Sequence, residues 1–441
     1  MSFRKYILIA LFLARGFETY AQQQSNVLTL HQCLDTAIKN NLTVQQTAIT
    51  TDRARIGFAQ SKENLIPTIG GSIGRDLSTG RTINPVTNTY VNQSVTSDNY
   101  SLSGSVTIFN GLAYQNAIKQ ASLAYQSGKM ALQAAKDVVT VNVITSYLAV
   151  LDAQAILDQT KSQQSVAKEQ ADRGEILEKQ GANKYASDIY DLRGSLQSSN
   201  VNLVLAQNSL SSAMLNLFQI MNVPFNKDAQ LQPLNAEDLQ GDKDVTPEQV
   251  YNTALEQLAD VKAATLMRQS AEKEVKYYKG QLLPSLALGY GISTNYTNSN
   301  PIDYTNQFKN NYGTYVQLGL NIPIFTNNYR RNQVSLAKLD LLNYKDIEEN
   351  TKIVLRQSVE LAYNSMISAY NRYQALDAES QAYTESFRIS KLRFEAGVLT
   401  SVDYITSKNN MDAANLAFIS AQYDYFIYSK VLDYYQGKLN F

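Results

Sequence analysis

Two periods of hydrophobicity divide the chain. In Tyr100-Ser101-Leu102-Ser103-Gly104-Ser105-Val106-Thr107-Ile108, apolar residues alternate with Ser and Thr, and Leu286 to Ile292 and Val316 to Ile322 follow the same rule. Ile69-Gly70-Gly71-Ser72-Ile73 is a glycine-diluted version of it. A period of two sends successive side chains to opposite faces, so these segments predict strands with one apolar face and one small, polar face. They group into strand pairs over 68–109 and 285–323. Polar loops, Arg75 to Asn99 and Thr294 to Asn311, are expected to join the strands.

Elsewhere the period is helical. Ile144, Tyr147, Leu148 and Leu151 share one helix face, as do Val359, Tyr363, Met366 and Tyr370. No proline falls between Pro85 and Pro224, or after Pro323. Proline-free spans rich in Ala, Gln, Leu and Lys suit long helices. Helical hairpins are therefore expected over 112–222 and 327–436, turning at Gly181 and Gly397. At about 1.5 Å per residue, a helix from Ala113 to Gln180 would run roughly 100 Å, which implies a coiled coil or a bundle rather than a compact core.

The order helix, strand pair, hairpin occurs twice. Pro67 recurs as Pro284, Tyr147 as Tyr363 and Gly181 as Gly397, at an offset of 216 or 217 residues. That is far longer than a solenoid unit and reads as duplication of a half-protein. The halves are 22–235 and 236–441, joined near Pro224 to Pro247. Before them, Arg4 and Lys5 precede a short apolar run, Tyr6 to Ala14, and small Ala21 follows. This is the order of a secretory signal peptide over 1–21, with Gln22 as the mature start.

An exported context changes the meaning of the strands. Alternation with small residues on the polar face suits a strand with lipid on one side and water on the other. Four strands cannot close a barrel, and an open edge in lipid leaves backbone groups unsatisfied, so several copies are required. Tyr90, Tyr100, Tyr290, Tyr296, Tyr312 and Tyr315 are available for an interfacial aromatic girdle or for packing. The chain has 29 Tyr and no Trp.

Composition then narrows the function. Of 441 residues, 44% are hydrophobic, too few for a bundle of transmembrane helices. With 39 basic and 39 acidic residues, the balance lacks the basic footprint of a nucleic-acid binder. One Cys (Cys33) and one His (His31) leave no disulfide framework, no metal site and no His-based catalysis to expect. Both read as ordinary positions on the first helix. Gly70-Gly71-Ser72-Ile73-Gly74 lacks the Lys and the following helix of a phosphate loop. An enzyme is not expected, and neither is a cofactor.

The layout resembles the TolC family of outer-membrane efflux proteins across nearly the whole mature chain. Leu28-Thr29-Leu30 with Ala37, Asn40 and Asn41, then Leu65-Ile66-Pro67 and Leu282-Leu283-Pro284, stand where that family places them. So do Ile108-Phe109-Asn110-Gly111, Ile322-Pro323-Ile324-Phe325 and, most specifically, Arg393-Phe394-Glu395-Ala396-Gly397-Val398-Leu399-Thr400-Ser401. Two positions depart: Thr107 stands opposite Pro323, and the first turn, Gln180-Gly181-Ala182-Asn183-Lys184, lacks the Val-Leu-Thr of the second. The resemblance implies a mainly α protein with a small β part. It implies a homotrimer with twelve shared strands in the outer membrane of a Gram-negative bacterium and an α-barrel reaching through the periplasm.

It also implies a passive duct for drugs, ions or proteins, served by a periplasmic adaptor and an inner-membrane transporter of RND or ABC type. Asp403 matches the family's carboxylate at the tunnel mouth, and Asp188 is its shifted counterpart. A ring of three would favour cations, while the alternative for each is a carboxylate placed by the helix dipole. Gly397, Val398, Leu399 and Thr400, with Gly181 and Ala182, are the expected adaptor-docking tips. Arg393 and Lys184 are latch candidates between helices, and Thr400 or Ser401 is placed to cap the returning helix. The rival reading is a secreted coiled-coil structural or adhesive protein whose strand pairs merely cap it.

Overall fold

The computed structural model describes residues 27–84, 86–181, 188–234 and 245–438. The expected signal peptide therefore lies outside the described residues. Two compact units are built from interleaved stretches of chain, each using parts of both halves. Among the described residues, those within 43–135 and 251–358 form one, and the remainder form the other. The order of elements repeats along the chain. Helices α1 (Leu30–Asn40) and α2 (Leu42–Glu63) precede β2 (Thr68–Ile83), β3 (Tyr90–Phe109), α3 (Ala113–Lys179) and α4 (Asp188–Ile220). Helices α5 (Pro247–Gln257) and α6 (Ala259–Gly280) precede β5 (Ser285–Thr297), α7 (Tyr304–Asn310), β6 (Gly313–Asn321), α8 (Tyr329–Glu395) and α9 (Ser401–Tyr435). The short strands β1 (Val27–Leu28) and β4 (Gln230–Leu231) pair in parallel.

In the first unit, β2-β3-β5-β6 form one antiparallel sheet in that order. Three hydroxyls stitch its helices: Ser127 to the Ala263 carbonyl, Ser270 to that of Gln120, and Thr51 to that of Gly128, at 2.8–2.9 Å. Between α6 and α8, Glu348 accepts from Arg268, Thr265 and Lys352. Burial opposes its charge, but these donors outweigh it and hold the carboxyl below its usual range. At the elbow from β3 into α3, Gly111 has φ +66° and a Cβ there would meet the Gly280 carbonyl oxygen at 2.2 Å. Only glycine fits.

In the second unit, the expected helical stripe is the core: Ile144, Tyr147, Leu148 and Leu151 are buried with Val359 and Met366, while Tyr363 and Tyr370 are half-buried. Each buried side chain of this size contributes about 1.5–3 kcal/mol. The Tyr147 hydroxyl sits 2.7 Å from the Gln232 carbonyl and 3.1 Å from that of Leu28, fixing α3 to the ends of β1 and β4. Burial pushes its ionisation far up and raises the buried Cys33 thiol to about 11, so Cys33 packs as a small hydrophobe. Helix α3 is apolar and long enough over one stretch to cross a bilayer, yet half of that stretch is buried within the protein.

Two expectations need correction. The segments predicted as loops are largely structured. β2 runs on to Ile83 and β3 resumes at Tyr90, because a continuous ladder, the Arg75–Asp98 pair and a Thr79–Ser94 side-chain pair keep the polar stretch extended. β5 likewise continues to Thr297, and α7 follows, N-capped by Asp303. The single helix expected before each strand pair is two helices, broken at Asn41 (ψ 121°) and Leu258 (ψ 135°) by extended backbone that needs no proline.

Candidate functional site: the sheet faces and the hairpin turns

The sheet has two chemically distinct faces. Opposed residues in an antiparallel register share a face, so Ile69, Ile73, Leu102, Ile292, Val316, Leu318 and Leu320 lie on one side. That side is bare: Ile73 is 80% and Val316 77% exposed in the protomer. A contiguous apolar surface of this kind marks an interaction or membrane surface. The other side carries Ser, Gly, Asn and Gln, with Thr68–Ser105 and Ser72–Ser101 hydroxyl pairs across the strands. Rows from Leu286 to Thr294 cover about 20 Å once strands rise about 3.3 Å per residue at about 40° of tilt, near the ~25 Å apolar band of outer-membrane barrels. The band ends where Arg75 pairs bidentately with Asp98 (2.6 and 2.7 Å) and α7 lays Tyr304 and Phe308 against Tyr100 and Tyr296.

The tyrosines divide between the faces. Tyr100 and Tyr296 lie on the apolar face at its rim. Tyr290 lies over Gly104, where a Cβ would strike its ring at 2.6 Å. Tyr315 lies on the polar face over Gly291, which no girdle would predict.

At the second hairpin turn, α8 ends in a Schellman motif: Gly397 (φ +71°) donates to the Phe394 carbonyl at 3.0 Å and Val398 to that of Arg393 at 2.9 Å. Thr400 is the N-cap of α9. Its hydroxyl accepts from the Asp403 N–H (3.2 Å) and donates to the Asp403 carboxylate (2.8 Å). The helix-start role is thus visible for Asp403. Gly181 follows α3 with φ +69° and donates to the Glu178 carbonyl at 3.0 Å. Ala182 and Lys184 lie outside the described residues. Val398 is exposed.

Ser401 does something the sequence reading missed. Buried at the start of α9, it donates to Asp188 (2.8 Å) or Asp191 (3.1 Å) of α4, joining the two hairpins. Nearby, Arg173 of α3 meets Glu395 of α8 at 3.5 Å, and Arg193 of α4 meets Glu175 of α3 at 3.0 Å. No signal in the sequence singles out these arginines from other surface charges. Above the turn a polar cavity of about 550 Å³ is lined by Gln163, Asp191, Ser198, Asn409 and Asp412. Burial raises the Asp412 carboxyl although Lys408 pairs with it. Among the described residues no group of three His, Cys, Asp or Glu side chains could hold a metal ion.

A sequence model of the family described as "Outer membrane efflux protein" matches residues 33–223 and 250–436. The chain belongs to this family. TolC from Escherichia coli (strain K12) is 24% identical over 449 residues, covering 98% of this chain and 86% of that protein. TolC from Salmonella enteritidis is 24% identical over 450 residues, with the same coverage. The fold matches the crystal structure of the Campylobacter jejuni CmeC outer membrane channel, with a TM-score of 0.77 at 20% identity over 94% of this chain and 86% of that one. It also matches the open state of the Neisseria gonorrhoeae MtrE outer membrane channel, with a TM-score of 0.76 at 18% identity over 92% and 88%. As an outer membrane efflux protein of the TolC type, the chain is an exit channel in the outer membrane of a Gram-negative bacterium, reaching into the periplasm. Its family is one of transport proteins, not of enzymes.

Proposed function

We propose that three copies close one twelve-stranded barrel, with β2 of each copy beside β6 of the next, and that the α3/α4 and α8/α9 hairpins continue it as a helical tunnel. The carrying observation is the sheet itself. Its apolar face is bare and its two outer strands have no partner within the protomer among the described residues, whereas lipid tolerates only closed sheets. The duct is passive. It catalyses no reaction, holds no cofactor, and draws its drive from an inner-membrane transporter of RND or ABC type through a periplasmic adaptor.

The adaptor docks at the hairpin turns, on Gly397 to Thr400 and at Gly181 and Ala182, with Arg393 and Lys184 tying neighbouring helices. Asp403, and Asp188 in its shifted position, line the tunnel mouth. Residues 1–21 are the removed signal, and the halves 22–235 and 236–441 descend from one duplicated unit. This last reading is supported by the repeated element order and the two segments matched by the family. Reconstitution in planar bilayers tests the duct. Discrete conductance steps from a membrane-extracted oligomer are expected, and a soluble, non-conducting monomer would contradict it.

A further inference from the structure

The polar face of the sheet is almost free of charge. Along it β2 contributes Thr68, Gly70, Ser72, Gly74 and Asp76. Across β3, β5 and β6 the same face carries only neutral side chains, so Asp76 is its one charged residue among the described residues. The other charges of these strands, Arg75, Arg81 and Asp98, lie on the opposite face, where Arg75 and Asp98 neutralise each other. Asp76 is exposed, and Asn99 on the neighbouring strand donates to it at 3.2 Å, orienting the carboxylate without cancelling its charge. It stands just beyond Arg75 toward the β2–β3 turn, at the end of the sheet away from the long helices α3 and α8.

We propose that Asp76 sets the ion preference of the channel's outer mouth, three copies forming a ring of fixed negative charge in a neutral wall. This rests on the three-copy barrel proposed above. Twelve strands about 4.8 Å apart, tilted by about 40°, put the wall roughly 12 Å from the axis. The Debye length is about 30 Å at 0.01 M salt, about 10 Å at 0.1 M and about 3 Å at 1 M. The ring's potential therefore spans the lumen in dilute salt and is screened in concentrated salt, which favours cations over anions only in the former. Because the ring is at the outer mouth, salt in the outer chamber governs it.

The test is the reversal potential of the full-length trimer in planar bilayers under a KCl gradient, with dilute salt on the outer side. Asp76→Asn is expected to lower the cation-to-anion permeability ratio by roughly twofold or more in dilute salt and to leave it unchanged near 1 M. Asp76→Arg is expected to reverse the preference. Trimers that conduct normally with a wild-type ratio in Asp76→Asn would overturn the assignment of Asp76 alone. A wild-type protein that fails to conduct would instead contradict the barrel. Asp76→Asn is isosteric, so the outcome stays readable if the arginine variant does not assemble.

Discussion

At the residue scale, the molecule depends on a few polar atoms placed where helices meet or begin. Thr400 both accepts from and donates to Asp403, so Thr400→Ala should cost about 1 kcal/mol of local stability. Amide exchange at 401–404 is then expected to rise by roughly fivefold, a factor set by RT; unchanged protection would remove the capping role. For the mouth, Asp403→Asn should raise anion permeability in bilayers, and an unaltered ratio would leave Asp403 with its helix-start role only. Asp152 offers a pH test. Burial, with the nearby Asp424 carboxylate, pushes its carboxyl up to about 6, against about 3.9 in an unfolded chain. A raised carboxylate pKa means that the folded state holds the proton more tightly, so its contribution is complete below about pH 4 and is lost as pH rises to about 6. Asp152→Asn should therefore flatten the stability profile between these values and leave the protein more stable at pH 7, as read by thermal unfolding.

At the element scale, the strand period together with the proline-free helical spans placed the strand pairs and the long hairpin helices, and the departures have local causes. The broken helices at Asn41 and Leu258 turn on a single extended residue, which no hydrophobic period records. The β2–β3 extension is mostly polar, so its composition resembles a loop while a continuous ladder with a Thr79–Ser94 side-chain pair keeps it extended. Ser401 was legible only as a possible cap; its bridge to Asp188 and Asp191 joins residues more than 200 positions apart. The β3–α3 elbow yields a sharp expectation. Gly111→Ala would place a methyl against the Gly280 carbonyl and should abolish assembled protein in the outer membrane. Gly397→Ala meets open space and should cost only about 1 kcal/mol of left-handed strain.

For the whole molecule, the strongest signal was the mismatch between a modest average hydropathy and strands with one apolar face. A chain that lends four such strands to a shared barrel can look water-soluble in composition and still cross a membrane. What the sequence could not display was the distribution of charge around that sheet, because Arg75 and Asp76 are adjacent in the chain yet point to opposite sides. Closure by three copies is the central claim, and edge crosslinking tests it most directly. Cysteine pairs would be placed in turn at Gly70, Ser72 or Gly74 of β2 and at Tyr315, Gln317 or Gly319 of β6, in otherwise Cys33→Ala protein. Oxidation in outer membranes should give, for at least one pair, a ladder of covalent species that ends at three chains. A ladder that runs past three, or single chains from every pair, would contradict it.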